Sequence, residues 1–108
     1  MIFKYKTIAN FFIILSTVCC SPSIYKPTEA DVFAGKKQYP DLTMEQLNKG
    51  LALYGDKCGS CHALYKPKEI TEKRWAETLP EMKEKARLTD KEYVLITQYL
   101  MSKNVNPN

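Results

Sequence analysis

Two cysteines and a histidine lie close together near the middle of this 108-residue sequence, in the run Cys58-Gly59-Ser60-Cys61-His62. Two thiols three positions apart can each form a thioether with one of the two vinyl groups of a single haem, and the adjacent histidine is then placed to ligate the iron. The spacing therefore predicts one covalently attached haem c, held by Cys58 and Cys61, with His62 as the proximal iron ligand.

Three other roles for the two cysteines agree less well with the sequence. A thioredoxin-like redox pair needs a strand before the motif and a βαβ pattern around it, and the sequence pattern shows neither. A structural zinc ion usually takes four Cys or His ligands, and the adjacent Cys61 and His62 do not easily close one tetrahedron with Cys58. A simple disulfide would close a very small loop and leave His62 without a role. Haem attachment uses all three residues.

The sixth iron ligand cannot be a second histidine of this sequence, because His62 is its only one. Met82 is the leading candidate for the distal ligand, since the 20 residues from His62 to Met82 are enough chain to wrap around the edge of a haem. It also shares a helical stripe with Trp75 and Leu79, which supply an apolar wall. Met101 is the reserve candidate. A methionine at helical spacing is also typical of an ordinary core residue, and that interpretation stays open for Met82.

The first twenty residues have the composition of an export signal. Lys4 and Lys6 precede a mostly apolar run over residues 8–18, which is short for a membrane-spanning helix and long enough for the core of a signal peptide. The cysteines that follow resemble the lipidation site of a bacterial lipoprotein, and Cys20 is favoured over Cys19 because the residue before it is small. We therefore expect an exported protein on the periplasmic side, held to the membrane by a lipid on Cys20. A plain signal peptide and an uncleaved anchor are the alternatives.

The remaining chain divides into three parts. Residues 21–41 carry prolines among polar residues without a sustained apolar period, which predicts a tether. Residues 42–104 form the predicted domain, and residues 105–108 are a polar tail. A domain of this size buries little apolar surface, so a covalent cofactor adds stability that the chain lacks. Its lysines are interleaved with acids and form no basic block, so no nucleic-acid partner is expected.

Three helices are predicted within the domain. Thr43 and Thr89 each begin a capping box, with Gln or Glu three residues later, and so mark the start of the first and third helices. The second helix begins near Thr71 and is expected to kink or divide at Pro80. Gly50, inside the first helix, suggests that another backbone passes close by.

The apolar residues of these helices recur at helical spacing and no alternating strand pattern is present. In chain order, the three apolar faces consist of Leu47, Leu51 and Tyr54, of Trp75, Leu79, Met82 and Ala86, and of Tyr93, Ile96, Tyr99 and Leu100. The predicted fold is therefore all-α, with three or four helices around one covalently attached haem.

From about residue 42 to residue 100 the sequence resembles a small class I cytochrome c. The resemblance rests on a glycine-containing helix with an aromatic residue before the haem motif, Gly50 and Tyr54, on the distal Met82 and on Tyr99 in the last helix. In that family the first and last helices cross near such a glycine and aromatic residue, which would account for Gly50.

The sequence from His62 onward also resembles a subgroup of short bacterial monohaem and dihaem cytochromes c. The residues that carry this resemblance are the run His62-Ala63-Leu64-Tyr65-Lys66-Pro67, then Trp75, Leu79, Met82, Ala86, Leu88, Thr89, Tyr99 and Leu100. In the cytochrome c family a proline carbonyl often accepts the hydrogen bond of the proximal histidine, and the resemblance suggests Pro67 for this role.

The expected function is transfer of one electron between a donor and an acceptor redox protein outside the cytoplasm, without enzymatic activity. Ligation by Met82 raises the reduction potential of a haem, and filling both axial positions leaves no open position for oxygen or peroxide. The alternative is a haem-based small-ligand-binding or sensor protein, in which the sixth position is open or Met82 is displaced.

Overall fold

The computed structural model describes residues 24–102, which form four α-helices. Within these residues there is no strand, so the predicted all-α class is confirmed. A π-helical turn over Tyr54–Cys58 continues the second helix, and a short 3-10 turn over Pro67–Glu69 precedes the third. The four helices, in chain order, are α1 Glu29–Gly35, α2 Met44–Leu53, α3 Glu72–Lys85 and α4 Asp90–Ser102.

The predicted signal segment 1–20, with the lipidation candidate Cys20, lies outside the described residues. The same holds for residues 21–23 of the predicted tether and for the predicted tail 105–108. Of the helices between residues 24 and 102, none has the length and apolar character needed to cross a bilayer.

The side chains that cap α2 and α4 are the ones that the sequence predicts. The Thr43 backbone N–H donates to Gln46 Oε1 at 3.0 Å, and Thr43 Oγ1 accepts from the Gln46 backbone N–H at 3.2 Å. Thr89 and Glu92 form the same pair of hydrogen bonds, at 2.9 and 3.2 Å. Each capping box satisfies backbone donors that the first turn of a helix leaves without a partner, which is why both helices begin where they do.

Helix α3 runs without interruption through Pro80. The proline therefore does not divide the helix, which was one of the two effects expected from the sequence. A proline inside a helix removes one backbone donor and crowds the carbonyl one turn earlier. Trp75 and Leu79, one turn apart on the face opposite solvent, are both buried in the core. The burial of this face offsets the local cost of the proline.

The segment predicted as a tether, residues 21–41, contains a helix between residues 24 and 41 that packs on the rest of the domain. Helix α1 begins after Thr28, whose backbone N–H and hydroxyl both donate to the Asp31 carboxylate, at 2.7 and 2.8 Å. Val32 is buried in a small cluster with Leu42 and Leu47. The sequence pattern does not predict α1, because a helix of seven residues has only two turns in which a repeat of apolar residues can appear.

A second contact attaches the chain before α1 to the last helix. The Tyr99 hydroxyl donates to the carbonyl oxygen of Tyr25 at 2.7 Å. At the other end of α1, a side chain on Gly35 would collide with Leu42 and Ser102. Residues 24–41 are therefore part of the folded domain.

Helices α2 and α4 cross at Gly50, as the sequence suggested. A Cβ placed on Gly50 would lie 2.8 Å from the Cβ of Tyr99 and would also collide with the carbonyl oxygen of Leu95. The main core lies beside this crossing and consists of Tyr54, Trp75, Leu79, Leu88, Ile96, Tyr99, Leu100 and Met101.

Candidate haem-binding site

The Cys-x-x-Cys-His motif begins in the π-helical turn that continues α2. Tyr54, the first residue of this turn, is buried, and its hydroxyl donates to the carbonyl oxygen of Tyr65 at 2.7 Å. This hydrogen bond joins the start of the turn to the chain beyond the motif. Burial, and then the nearby Cys58 thiol, raises the pKa of Tyr54 above its ordinary value of 10.0, so the phenol remains a neutral donor. Tyr54 therefore holds both ends of the segment that carries Cys58, Cys61 and His62.

A cavity of about 430 Å³ is bordered by this segment and by α3. Cys58, Cys61, His62 and Met82 all line it. The volume lies within the range of about 300–1,000 Å³ that is common for small-molecule and cofactor sites. The apolar and aromatic part of the lining consists of Tyr54, Tyr65, Ile70, Trp75, Leu79 and Ala86.

All four residues of the predicted stripe contribute to the cavity wall, three from α3 and Ala86 from the position directly after it. Trp75 and Leu79 line it from within the core, and Met82 and Ala86 line it from half-buried positions further along the helix. Steps of three and four residues keep side chains on one face of a helix. The helix thus presents one apolar wall to the cavity, with the thioether of Met82 as a soft ligand atom within it.

The orientation of His62 suits a metal ligand. Its Nδ1 lies 2.8 Å from the carbonyl oxygen of Ala63. A carbonyl only accepts, so this hydrogen bond requires the tautomer with the proton on Nδ1, which leaves the Nε2 lone pair for a metal. A metal-ligating histidine commonly donates its other N–H to a backbone carbonyl in this way.

The partner of His62 is therefore different from the one that the family resemblance suggested. The carbonyl oxygen of Pro67 accepts a hydrogen bond from Trp75 Nε1 at 2.8 Å, in a buried position. The carbonyl of Ala63, adjacent in sequence, takes the place beside the histidine ring. Pro67 instead joins the 3-10 turn to α3 through Trp75.

Cys58 and Cys61 are both free thiols. Burial, and then the neighbouring Cys61 thiol, raises the pKa of the Cys58 thiol. In the described part of the chain, no three or more His, Cys, Asp or Glu side chains are grouped so as to hold a metal ion, and no strand precedes the motif. Neither the zinc nor the thioredoxin-like alternative gains support from the structure.

The methionines considered as distal ligands lie in different parts of the structure. Met82 lines the same cavity as Cys58, Cys61 and His62. Met101 is buried in the main core beside Tyr99 and Leu100. Met44, in the first turn of α2, packs against the small cluster near α1. Among the methionines of residues 24–102, Met82 is thus the one placed at the cavity.

Three cationic residues also line the cavity, namely Lys57, Arg74 and Lys85. Lys85 lies three residues after Met82 and eleven residues after Arg74. Both spacings keep side chains on one face of a helix, and this was the available signal. Lys57 directly precedes the first cysteine of the motif.

The residues present fit a covalently attached haem. Two free thiols, a histidine with an available Nε2 and a thioether border one cavity whose wall is largely apolar. Soft sulfur and imidazole nitrogen are ligands that haem iron takes in electron-transfer proteins, and the apolar wall suits the faces of a porphyrin. A chain with these properties belongs to the class of c-type cytochromes.

The particular family follows from comparison with known protein families. The family model described as dihaem cytochrome c matches residues 54–108, a range that includes the haem motif, α3 and α4. The chain belongs to this family. Comparison with curated proteins and with solved structures finds no match. The family description implies two haems, whereas these 108 residues contain one Cys-x-x-Cys-His motif.

Proposed function

We propose that this protein is an electron carrier with one haem, attached through Cys58 and Cys61 and ligated by His62 and Met82. The observation that carries the proposal is that all four side chains line the same cavity, although Met82 comes from a different helix. The family supports a c-type cytochrome, which in turn implies redox proteins as donor and acceptor.

Bound at this site, a haem supplies a couple between ferric and ferrous iron that takes up and releases one electron. The Ala63 carbonyl holds the Nδ1 proton of His62 and thereby fixes the ring tautomer. The Met82 thioether is a soft ligand that favours the ferrous state and raises the reduction potential. Trp75 and Leu79 exclude water from one side of the cavity, which disfavours the more highly charged ferric state. These effects favour electron transfer over chemistry at an open iron position.

Two substitutions test the distal ligand. In holoprotein produced with a haem-attachment system, Met82→Leu should abolish the weak far-red sulfur-to-iron absorption band of the oxidised form. Met101→Leu, a matched change of another methionine, should retain the band, since Leu and Met have similar volumes. Loss of the band only in Met101→Leu would transfer the role of ligand to Met101. A high-spin wild-type spectrum that changes on addition of carbon monoxide would indicate an open sixth position and contradict the electron-carrier proposal.

The number of haems is tested by the ratio of iron to polypeptide. We propose one haem because the sequence has a single motif and a single histidine. The expected ratio is one iron per chain in wild type and none in the double variant Cys58→Ala, Cys61→Ala. A ratio of two in wild type would agree with the family description and overturn the single-haem proposal.

We also propose that the protein is exported and anchored by a lipid on Cys20. The support is the sequence of the first twenty residues, with two lysines before an apolar run and a cysteine at its end. Cys20→Ser should move the protein from the membrane fraction to the soluble periplasmic fraction, whereas Cys19→Ser should leave it on the membrane. The reverse result would assign the lipid to Cys19, and an unchanged distribution of both variants would contradict lipidation.

A further inference from the structure

The folded domain begins close to the proposed lipid attachment site. Ile24 follows Cys20 by four residues, and a chain of that length spans at most about 14 Å. Ile24 already belongs to the domain, because it packs against the main core and a Cβ on Gly55 would lie 3.3 Å from its Cδ1. A lipid on Cys20 would therefore hold the domain directly against a bilayer.

Helix α1 lies beside the point where this chain enters the domain. The carbonyl oxygen of Tyr25 accepts a hydrogen bond from the Tyr99 hydroxyl at 2.7 Å. At the end of α1, Gly35 lies so close to Ser102 that a side chain on the glycine would collide with it. Tyr99 and Ser102 are about one turn apart near the end of α4. The face of α1 that points away from α4 is thus near the proposed lipid.

This outward face carries an exposed aromatic residue. Each residue of a helix turns the chain by about 100°, so Phe33 is on the side of α1 opposite Gly35. Phe33 is 76% exposed, more than Tyr25, Tyr65 or Val94, the other exposed large hydrophobic residues in the described part of the chain. Burial of a phenylalanine side chain is favourable, so this position suits contact with an apolar phase.

Two lysines lie on the same face as Phe33. Lys36 and Lys37 follow it by three and four residues, spacings that keep side chains on one side of a helix, and both are exposed. Glu29, four residues before Phe33, is the exposed carboxylate of this face, whereas the Asp31 carboxylate is buried at the start of the helix. Lysine stems lie along apolar surface while their ammonium groups reach polar ones. An aromatic side chain bordered by lysines therefore suits the interface of a phospholipid bilayer.

We propose that the face of α1 formed by Phe33, Lys36 and Lys37 contacts the lipid bilayer. Phe33 inserts below the headgroups, and the two ammonium groups lie at the lipid phosphates. The inference rests on the lipid anchor of the proposed function, because one phenylalanine and two lysines do not hold a protein on a membrane. The anchor brings the domain to the bilayer, and this face decides which side of the domain is turned toward it.

The test is the reactivity of an introduced thiol in lipidated holoprotein bound to vesicles of phosphatidylethanolamine and phosphatidylglycerol. Ala30→Cys places the thiol on the face of Phe33, three residues away. Val94→Cys, at another exposed apolar residue two turns before Ser102, is the matched control. A charged maleimide that does not cross membranes modifies thiols in water, and peptide mass spectrometry gives the rate at each position. The same variants combined with Cys20→Ser provide the rates without a lipid.

On vesicles we expect the reaction at position 30 to be about tenfold slower than without the lipid, since burial of one phenylalanine shifts an equilibrium by about that factor or more. The rate at position 94 should be the same with and without the lipid. Adding Phe33→Ser should restore the fast reaction at position 30. The substitution is at an exposed residue, so the domain should still fold.

The outcomes separate this inference from the proposed function. Lipidated protein in which positions 30 and 94 react equally would overturn the contact and leave the anchor in place. Slow reaction at position 30 that persists in Phe33→Ser would also overturn the inference, because the protection would not come from Phe33. Wild-type protein found in the soluble fraction would overturn the anchor and the inference together. None of these results alters the haem spectrum on which the electron-carrier proposal depends.

Discussion

Gly50 of α2 lies so close to Tyr99 of α4 that a Cβ on the glycine would be 2.8 Å from the Cβ of the tyrosine. The same Cβ would collide with the carbonyl oxygen of Leu95, a backbone atom that cannot rotate away. The crossing places Tyr54, which follows α2 directly, with its ring centroid 5.9 Å from that of Tyr99. Because Tyr54 begins the turn that carries Cys58, the helix crossing determines where the haem motif starts.

Gly50→Ala should destabilise the holoprotein, although alanine is the better helix former. Forcing a methyl group into a closely packed contact typically costs about 1–3 kcal/mol, and the helix propensity of alanine returns about 1 kcal/mol of this. We expect a net loss of unfolding free energy, measured by denaturant titration followed by circular dichroism. Gly55→Ala is the matched control, since its Cβ would meet only the flexible end of Ile24, at 3.3 Å. Equal stability of wild type and Gly50→Ala would contradict the close crossing.

Trp75→Phe should weaken the attachment of the 3-10 turn to α3. The substitution removes the Nε1–H that donates to the buried Pro67 carbonyl at 2.8 Å. A buried acceptor left without its donor costs about 1–3 kcal/mol. Equilibrium unfolding by circular dichroism measures the loss. Tyr65→Phe, at an exposed aromatic residue, should change the unfolding free energy by less than about 0.5 kcal/mol. If both substitutions have the same small effect, the hydrogen bond does not contribute as described.

Alkaline unfolding should report on the buried tyrosines. Burial raises the pKa of both Tyr54 and Tyr99 above the ordinary value of 10.0. Above about pH 10 the unfolded chain ionises these phenols and the folded protein does not, so the folded state binds more protons and stability falls as pH rises. Each tyrosine contributes a slope of up to about 1.4 kcal/mol per pH unit.

In Tyr54→Phe we expect a lower stability at neutral pH and a shallower decline above pH 10. The first effect comes from loss of the hydrogen bond to the Tyr65 carbonyl, and the second from loss of one titrating phenol. Denaturant unfolding of wild type and variant at several pH values between 7 and about 11 measures both. Parallel curves over the whole range would show that Tyr54 ionises equally in the folded and unfolded states.

Arg87→Gly should stabilise the protein. Arg87 has a φ of 52°, in the left-handed region that costs a non-glycine residue about 1–2 kcal/mol. It ends α3 with hydrogen bonds from its own N–H to the Glu84 carbonyl at 3.1 Å and from the Leu88 N–H to the Lys83 carbonyl at 3.0 Å, a geometry that favours glycine. We expect a rise in Tm of several degrees. Arg87→Ala removes the same guanidinium without relieving φ, so a similar rise in Arg87→Ala would assign the gain to charge.

The features that sequence alone determined are local ones. Cys58, Cys61 and His62 are recognisable because the spacing of haem attachment is a property of five consecutive residues. The starts of α2 and α4 follow from Thr43 and Thr89, since a capping box is complete within four residues. Helix α1, before α2, is not apparent from the sequence, because seven residues are too few to show a helical period.

Tertiary structure decided which of these local features meet. Met82 borders the same cavity as the motif because α3 forms part of the cavity wall. The 20-residue spacing from His62 made Met82 a candidate ligand but did not show where α3 packs. Likewise, the carbonyl of Pro67 accepts the hydrogen bond of Trp75 Nε1 on α3. The sequence alone does not show that Arg74 lines the cavity, because this depends on which face of α3 is turned toward it. Each of these contacts depends on how helices pack against one another, and packing depends on the shapes of distant side chains rather than on neighbouring residues.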